Sequence, residues 1–177
     1  MYRILLRPLL GLTAKSAVIA AKLGNVDKLR RFVWLGDYHI LRGENNRRDL
    51  TPLHWACAEN HAPVVEFLLS RKINCDPNIS RLNGFTPLHA AAAKGNSKIC
   101  ELLISSGANV NTQTTPQKYA PLHSAAFVGD IDTLKVLLKA GADKTLLNYR
   151  GEQPTDTAFR QGHLDVARII APILGSA

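Results

Sequence analysis

Long apolar runs are missing from this chain of 177 residues. No segment reaches the roughly 18 apolar residues that a helix needs to cross a bilayer. Aromatic residues are scarce, at 6% against 46% apolar overall. A core must therefore be built from aliphatic side chains and from alanine runs such as Ala90-Ala91-Ala92-Ala93. Alanine-rich helices lose little side-chain entropy and let backbones approach closely. Cysteine is rare too: Cys57, Cys75 and Cys100 make no even framework and no C-x-x-C pair. Cys57 and Cys100 fall at apolar helical positions and read as reduced, small hydrophobes. That sets the expectation of a cytosolic or nuclear protein.

Acidic residues are absent from Met1 to Lys15, where Arg3, Arg7 and Lys15 stand. The apolar stretch Ile4-Leu5-Leu6 and Leu9-Leu10 is interrupted by Arg7 and Pro8, which is unlike a secretory signal. Two expectations stay open for residues 1–15, a mitochondrial presequence and a segment that covers one end of the fold. The net charge is +8, and residues 1–50 hold ten Lys/Arg against four Asp/Glu. An electrostatic binder of nucleic acid or anionic membrane, acting through this basic N-terminal half, is one functional reading. No interleaving of aromatic and basic residues supports it, and a solvated basic face is the plainer account.

Catalytic signatures are also missing. There is no Gly-x-Ser-x-Gly, no phosphate-binding Gly-x-x-x-x-Gly-Lys and no His-Glu-x-x-His. Acids are scattered singly, some at helix starts (Asp130, Asp132), where they complement the helix dipole. No catalytic residue, metal site or cofactor is expected.

What the chain has is a period. Thr51-Pro52-Leu53-His54 returns 35 residues on as Thr86-Pro87-Leu88-His89, then after 34 as Ala120-Pro121-Leu122-His123, then after 33 as Gln153-Pro154-Thr155-Asp156. Such a period signals stacked supersecondary units. In the clearest copy, Gly84-Phe85 suits a tight turn, Thr86 an N-cap and Pro87 the first helical position. The pattern predicts a helix over about Pro87 to Lys94, a left-handed stop at Gly95 and a second helix over about Ser97 to Ser105. Gly24, Asn60, Gly129 and Gly162 align with Gly95. The apolar triplet Ile99, Leu102, Leu103 aligns with Val64, Phe67, Leu68, then Thr133, Val136, Leu137, then Val166, Ile169, Ile170. A fainter first copy puts Lys15-Ser16-Ala17-Val18 in the signature position, which makes five units.

Thr-Pro-Leu-His-x-Ala, a glycine, a leucine-rich helix and then Gly107-Ala108-Asn109-Val110-Asn111 together resemble the ankyrin repeat. Gly141-Ala142-Asp143 repeats the loop signature. The resemblance implies an all-α ankyrin-repeat solenoid with β-turn fingers over residues 14–172. Its units are about 14–45, 46–80, 81–114, 115–147 and 148–172, flanked by a leader or cap at 1–13 and a tail at 173–177. The worn first and last units are expected of caps. Unit four has no turn glycine, so its finger should be shaped differently.

Equivalent histidines His54, His89 and His123 should lie about 8–10 Å apart, too far to share a metal. The resemblance gives them a structural role, bonding backbone and threonine groups between units. His61 and His163 are expected to be capping or surface residues. The family's implied function is a monomeric, non-catalytic module that binds an unidentified protein partner. Fingers and concave palm would be the contact surfaces. The expected finger residues are Arg47, Arg48, Asn83, Gln117, Tyr119, Tyr149 and Arg150. The expected palm residues are Trp55, Glu59, Lys94, Phe127, Val128 and Arg160. Phe127-Val128 is the one wholly apolar pair among the palm pairs Lys22-Leu23, Ala58-Glu59, Ala93-Lys94 and Arg160-Gln161. Beside Tyr119 and Tyr149 it marks an apolar patch of the kind that binds partners. Asn111 matches a pattern of asparagine hydroxylation.

Overall fold

The computed structural model describes residues 12–43, 50–81 and 83–171. Most of the leader (residues 1–11), part of the second finger (44–49), Leu82 and the end of the chain (172–177) lie outside them, as do the expected tip residues Arg47 and Arg48. Among the described residues the fold is helical, without a strand.

Five helix pairs follow one another. The first helices are α1 (Ala14–Lys22), α4 (Pro52–Ala58), α6 (Pro87–Ala92), α8 (Pro121–Val128) and α10 (Pro154–Gln161). The second helices are α2 (Val26–Leu35), α5 (Ala62–Leu69), α7 (Ser97–Ser105), α9 (Ile131–Lys139) and α11 (Leu164–Ile170). First helices pack on first helices along the whole series, and α2, α5, α7 and α9 pack likewise in a second layer. None of these helices is long enough to be stable alone, so each depends on its neighbours.

The aligned apolar triplets explain that dependence. In α5, α7, α9 and α11 the first and third members are buried and the middle one is half-buried. The first helices contribute small residues where the layers meet: Ala56, Cys57, Ala91, Ala92, Ala125 and Ala126 are fully enclosed. All three cysteines are buried, Cys57 and Cys100 as free thiols. Burial pushes the Cys100 thiol up to about 12, so it stays protonated and packs as a small apolar group.

Helix starts follow the sequence signals closely. Thr51 and Thr86 accept the backbone N–H of His54 and His89 on their hydroxyls. The residues aligned at the helix stop, Gly24, Asn60, Gly95, Gly129 and Gly162, all have φ between 61° and 82°.

Three features differ from expectation. Helix α6 ends at Ala92, two residues before the Lys94 predicted as its end. Helix α1 starts before the aligned signature, because Thr13 and Ser16 form a reciprocal cap with Ser16 N–H on the Thr13 hydroxyl at 3.1 Å. An extra short helix, α3 (Tyr38–Leu41), follows the left-handed Gly36 in the long loop between units one and two. Its Ile40 and Leu41 are buried.

Candidate functional site

The threonine-to-histidine segment builds the joints between units. His54 Nδ1 accepts from the Thr51 backbone N–H (3.3 Å), and its Nε2 lies 3.1 Å from the Phe85 carbonyl. A carbonyl only accepts, so the ring proton sits on Nε2. His89 repeats this with Thr86 and the Tyr119 carbonyl at 3.0 Å, and His123 with Ala120 and the Glu152 carbonyl at 3.2 Å. Each ring is thus a neutral link from one first helix to the next finger. Burial holds His54 and His89 down to about 4 and lowers His123 as well.

His61 and His163 make a contact that their sequence positions did not announce. Both occupy N-cap positions, but neither side chain caps its own helix. Their Nε2 atoms donate backwards, to the Lys22 carbonyl (2.9 Å) and the Phe127 carbonyl (3.2 Å) of the preceding first helix. Asn96 does the same to the Cys57 carbonyl at 2.7 Å. These bonds satisfy carbonyls that a helix end leaves open. Sequence reasoning missed them because the partner lies one unit away.

The fingers are tied in series. In unit three Arg81 and Phe85 exchange backbone bonds of 2.8 and 2.7 Å across Asn83 and Gly84, both left-handed. In unit four Lys118, with φ 53°, stands in for the missing glycine, and the turn closes from Thr114 N–H to the Tyr119 carbonyl at 2.9 Å. Asn83 offers its carbonyl to Thr115 N–H (2.6 Å), and Gln117 offers its own to Tyr149 N–H (3.0 Å). Tyr119 and Tyr149 meet edge to face at 6.2 Å, and Arg150 Nε donates to the Tyr149 hydroxyl at 2.6 Å. That hydrogen bond raises the Arg150 guanidinium further above its ordinary value. Asn83, Gln117, Tyr119, Tyr149 and Arg150 therefore form one connected edge.

The palm is the face of the first-helix layer turned away from the second helices. Residues three and four apart share a helix face, so units two to five each place a trio there, Trp55-Ala58-Glu59, Ala90-Ala93-Lys94, Ser124-Phe127-Val128 and Thr157-Arg160-Gln161, of which Ala90 and Thr157 are buried. Phe127 is 52% and Val128 40% exposed. Glu59, Lys94 and Arg160 are exposed, while Trp55 is half-buried with the Lys22 ammonium 4.4 Å above its ring. Arg160 reaches Glu152 at 3.1 Å. Phe127 and Val128 lie at the far end of α8, about 9 Å along the axis from Pro121. The apolar palm pair and the tyrosine tip therefore stand at opposite ends of α8.

The structure adds Ile19 and Leu23 to this face, 43% and 71% exposed. It also exposes Phe159, which holds the position of the enclosed Cys57, Ala92 and Ala126 but has no following unit among the described residues to cover it. A large aromatic aligned with small residues was the available signal. Asn111 lies in the loops behind the second helices, where its carboxamide accepts from Asp143 N–H at 2.8 Å and donates to the Gly141 carbonyl at 3.4 Å.

A family model described as Ankyrin repeats (3 copies) matches residues 17–114. A second, described as Ankyrin repeat, matches residues 117–149. No curated protein matches the chain.

Proposed function

Because this chain belongs to the ankyrin-repeat family, we propose that it is a non-catalytic adaptor, scaffold or inhibitor that holds a partner protein on its palm and finger edge. Ankyrin repeats are in general protein–protein interaction modules and typically carry no catalysis. The observation that carries the reading is the pair Phe127 and Val128, adjoining apolar side chains 52% and 40% exposed on an otherwise mixed face. Exposing such a pair gains nothing for the fold and favours a partner that covers it. Tyr149 and Arg150 extend the surface with side chains of the types enriched in binding hot spots. The free, buried thiols of Cys57 and Cys100 support a cytosolic or nuclear setting.

A photoreactive residue at Val128 tests this in native extract. It should crosslink to a defined protein, and Phe127→Glu should abolish that product while leaving far-UV circular dichroism unchanged. Undiminished crosslinking in the variant would refute the assignment. Binding of duplex DNA or anionic vesicles that falls steeply with salt would favour the electrostatic reading instead.

A further inference from the structure

Two large aromatic side chains bracket the middle of the palm. Trp55 stands in unit two and Phe127 in unit four, two packing steps apart at about 8–10 Å each. Between them the floor of the same face is made of small side chains, Ala58, Ala93, Ser124 and the nearly enclosed Ala90, with Glu59 and Lys94 the long ones beside it, so the floor lies low between the two rings. A chain in extended form crosses it in about five or six residues at roughly 3.3 Å each.

The charges around the span are mostly positive. Lys94 is exposed at its rim and Lys22 at its end, with Lys118 and Arg150 exposed on the finger edge. Against them stands Glu59 on the palm, while the Glu152 carboxylate is engaged by Arg160 at 3.1 Å and by the Asn148 amide at 3.0 Å. The Trp55 ring already faces the Lys22 ammonium at 4.4 Å. A partner cation that sought the indole face would meet a like charge, whereas a carboxylate would find an ammonium already positioned.

We propose that the palm accepts a short acidic segment of a partner protein, with two apolar anchors about five or six residues apart seated against Trp55 and Phe127. This rests on the reading of the palm as the binding face and names the chemistry of what it binds. The anchors supply buried apolar area, and the carboxylates between and beside them meet Lys22 and Lys94.

Selection of a phage-displayed library of random twelve-residue peptides on the full chain tests the proposal. The enriched peptides should be rich in Asp and Glu and carry two apolar residues at that spacing. A synthetic peptide of the enriched sequence should bind at least tenfold more tightly than versions with Lys for its acids or Ser for its anchors. Lys94→Glu should weaken it about tenfold and Phe127→Glu should abolish binding, both with unchanged circular dichroism. Enrichment of basic peptides, enrichment of none, or displacement of the acidic peptide by duplex DNA or phosphatidylserine vesicles would each overturn the proposal. Basic peptides that still lose binding in Phe127→Glu would overturn the acidic assignment alone and leave the palm as the interaction face. Enriched peptides of any charge indifferent to Phe127→Glu would overturn both.

Discussion

His54 donates its Nε2 proton to the Phe85 carbonyl of the following unit at 3.1 Å, while its Nδ1 accepts the Thr51 backbone N–H. Both ring nitrogens are committed, and only the neutral ring satisfies both. A second proton on Nδ1 would face an N–H donor inside the stack. The same geometry recurs at His89, so acid disrupts the Nδ1 half of each joint, while the Nε2 bond to the next unit keeps its donor.

Stability should therefore depend on pH in a defined window. His54 and His89 titrate at about 4 in the folded chain, against about 6.5 when unfolded. The unfolded chain then binds more protons between these values, so stability is complete above about 6.5 and falls as pH drops towards 4. Each ring should contribute a loss on the order of 3 kcal/mol across the window. Urea midpoints at pH 7.5, 5.5 and 4.5 measure it. In His89→Gln the slope should fall by roughly a third to a half, because His54 and the likewise lowered His123 remain, and an unchanged slope would place the titrating groups elsewhere.

Replacing His89 with Ala should weaken the stack even at neutral pH. It strands the buried Thr86 N–H and removes the partner of the Tyr119 carbonyl. A buried polar group left unpaired costs about 1–3 kcal/mol. A total loss of about 3 kcal/mol is expected in urea denaturation. Asp156→Ala should cost less, because Asp156 makes the local half of the joint, to Gln153 N–H at 2.8 Å.

That contrast shows what the sequence could reveal. The period, the helix starts and the left-handed stops were legible because local geometry demands particular residues there. Threonine can cap, proline suits the first helical position, and glycine or asparagine tolerates positive φ. Bonds between units were not legible. His61 and His163 look like cap residues from their own helices, yet each serves the preceding unit. Helix α3 was hidden for a related reason. Four residues carry no periodicity, and what buries Ile40 and Leu41 comes from elsewhere in the chain. On the palm, the apolar Phe127-Val128 pair could be read from composition, but the Lys22–Trp55 contact joins neighbouring first helices and appears only in the fold.

The backward bond from His163 makes Gly129 unusually sensitive. Its φ is +82°, and a Cβ there would sit 2.5 Å from His163 Nδ1. Gly129→Ala must strain the backbone and displace the ring from the Phe127 carbonyl. Gly141, at φ +85°, has nothing within 4 Å, so Gly141→Ala meets only the backbone strain. The expected losses are about 2–4 kcal/mol for Gly129→Ala and about 1 kcal/mol for Gly141→Ala. Equal losses by thermal or urea denaturation would mean that the ring yields freely and the joint matters little.

The loops behind the second helices are linked in the same one-directional way. Asn78 accepts from Asn109 N–H at 2.7 Å and donates to the Gly107 carbonyl at 2.9 Å. Asn109 in turn accepts from Asn111 N–H at 2.9 Å, and Asn111 accepts from Asp143 N–H at 2.8 Å. The residue whose backbone Asn78 holds is thus the one whose side chain fixes Asn111. Each of Asn78→Ala and Asn111→Ala should cost about 1–2 kcal/mol, since these are solvent-exposed bonds. The double variant should lose less than the sum, because loosening Gly107 and Asn109 already releases Asn111. An interaction of at least about 0.5 kcal/mol in the double-mutant cycle is the expected result. Additivity within about 0.3 kcal/mol would show instead that every loop joint holds on its own. Stability would then be a plain sum over neighbouring pairs of units, as in a one-dimensional stack without coupling beyond the nearest interface.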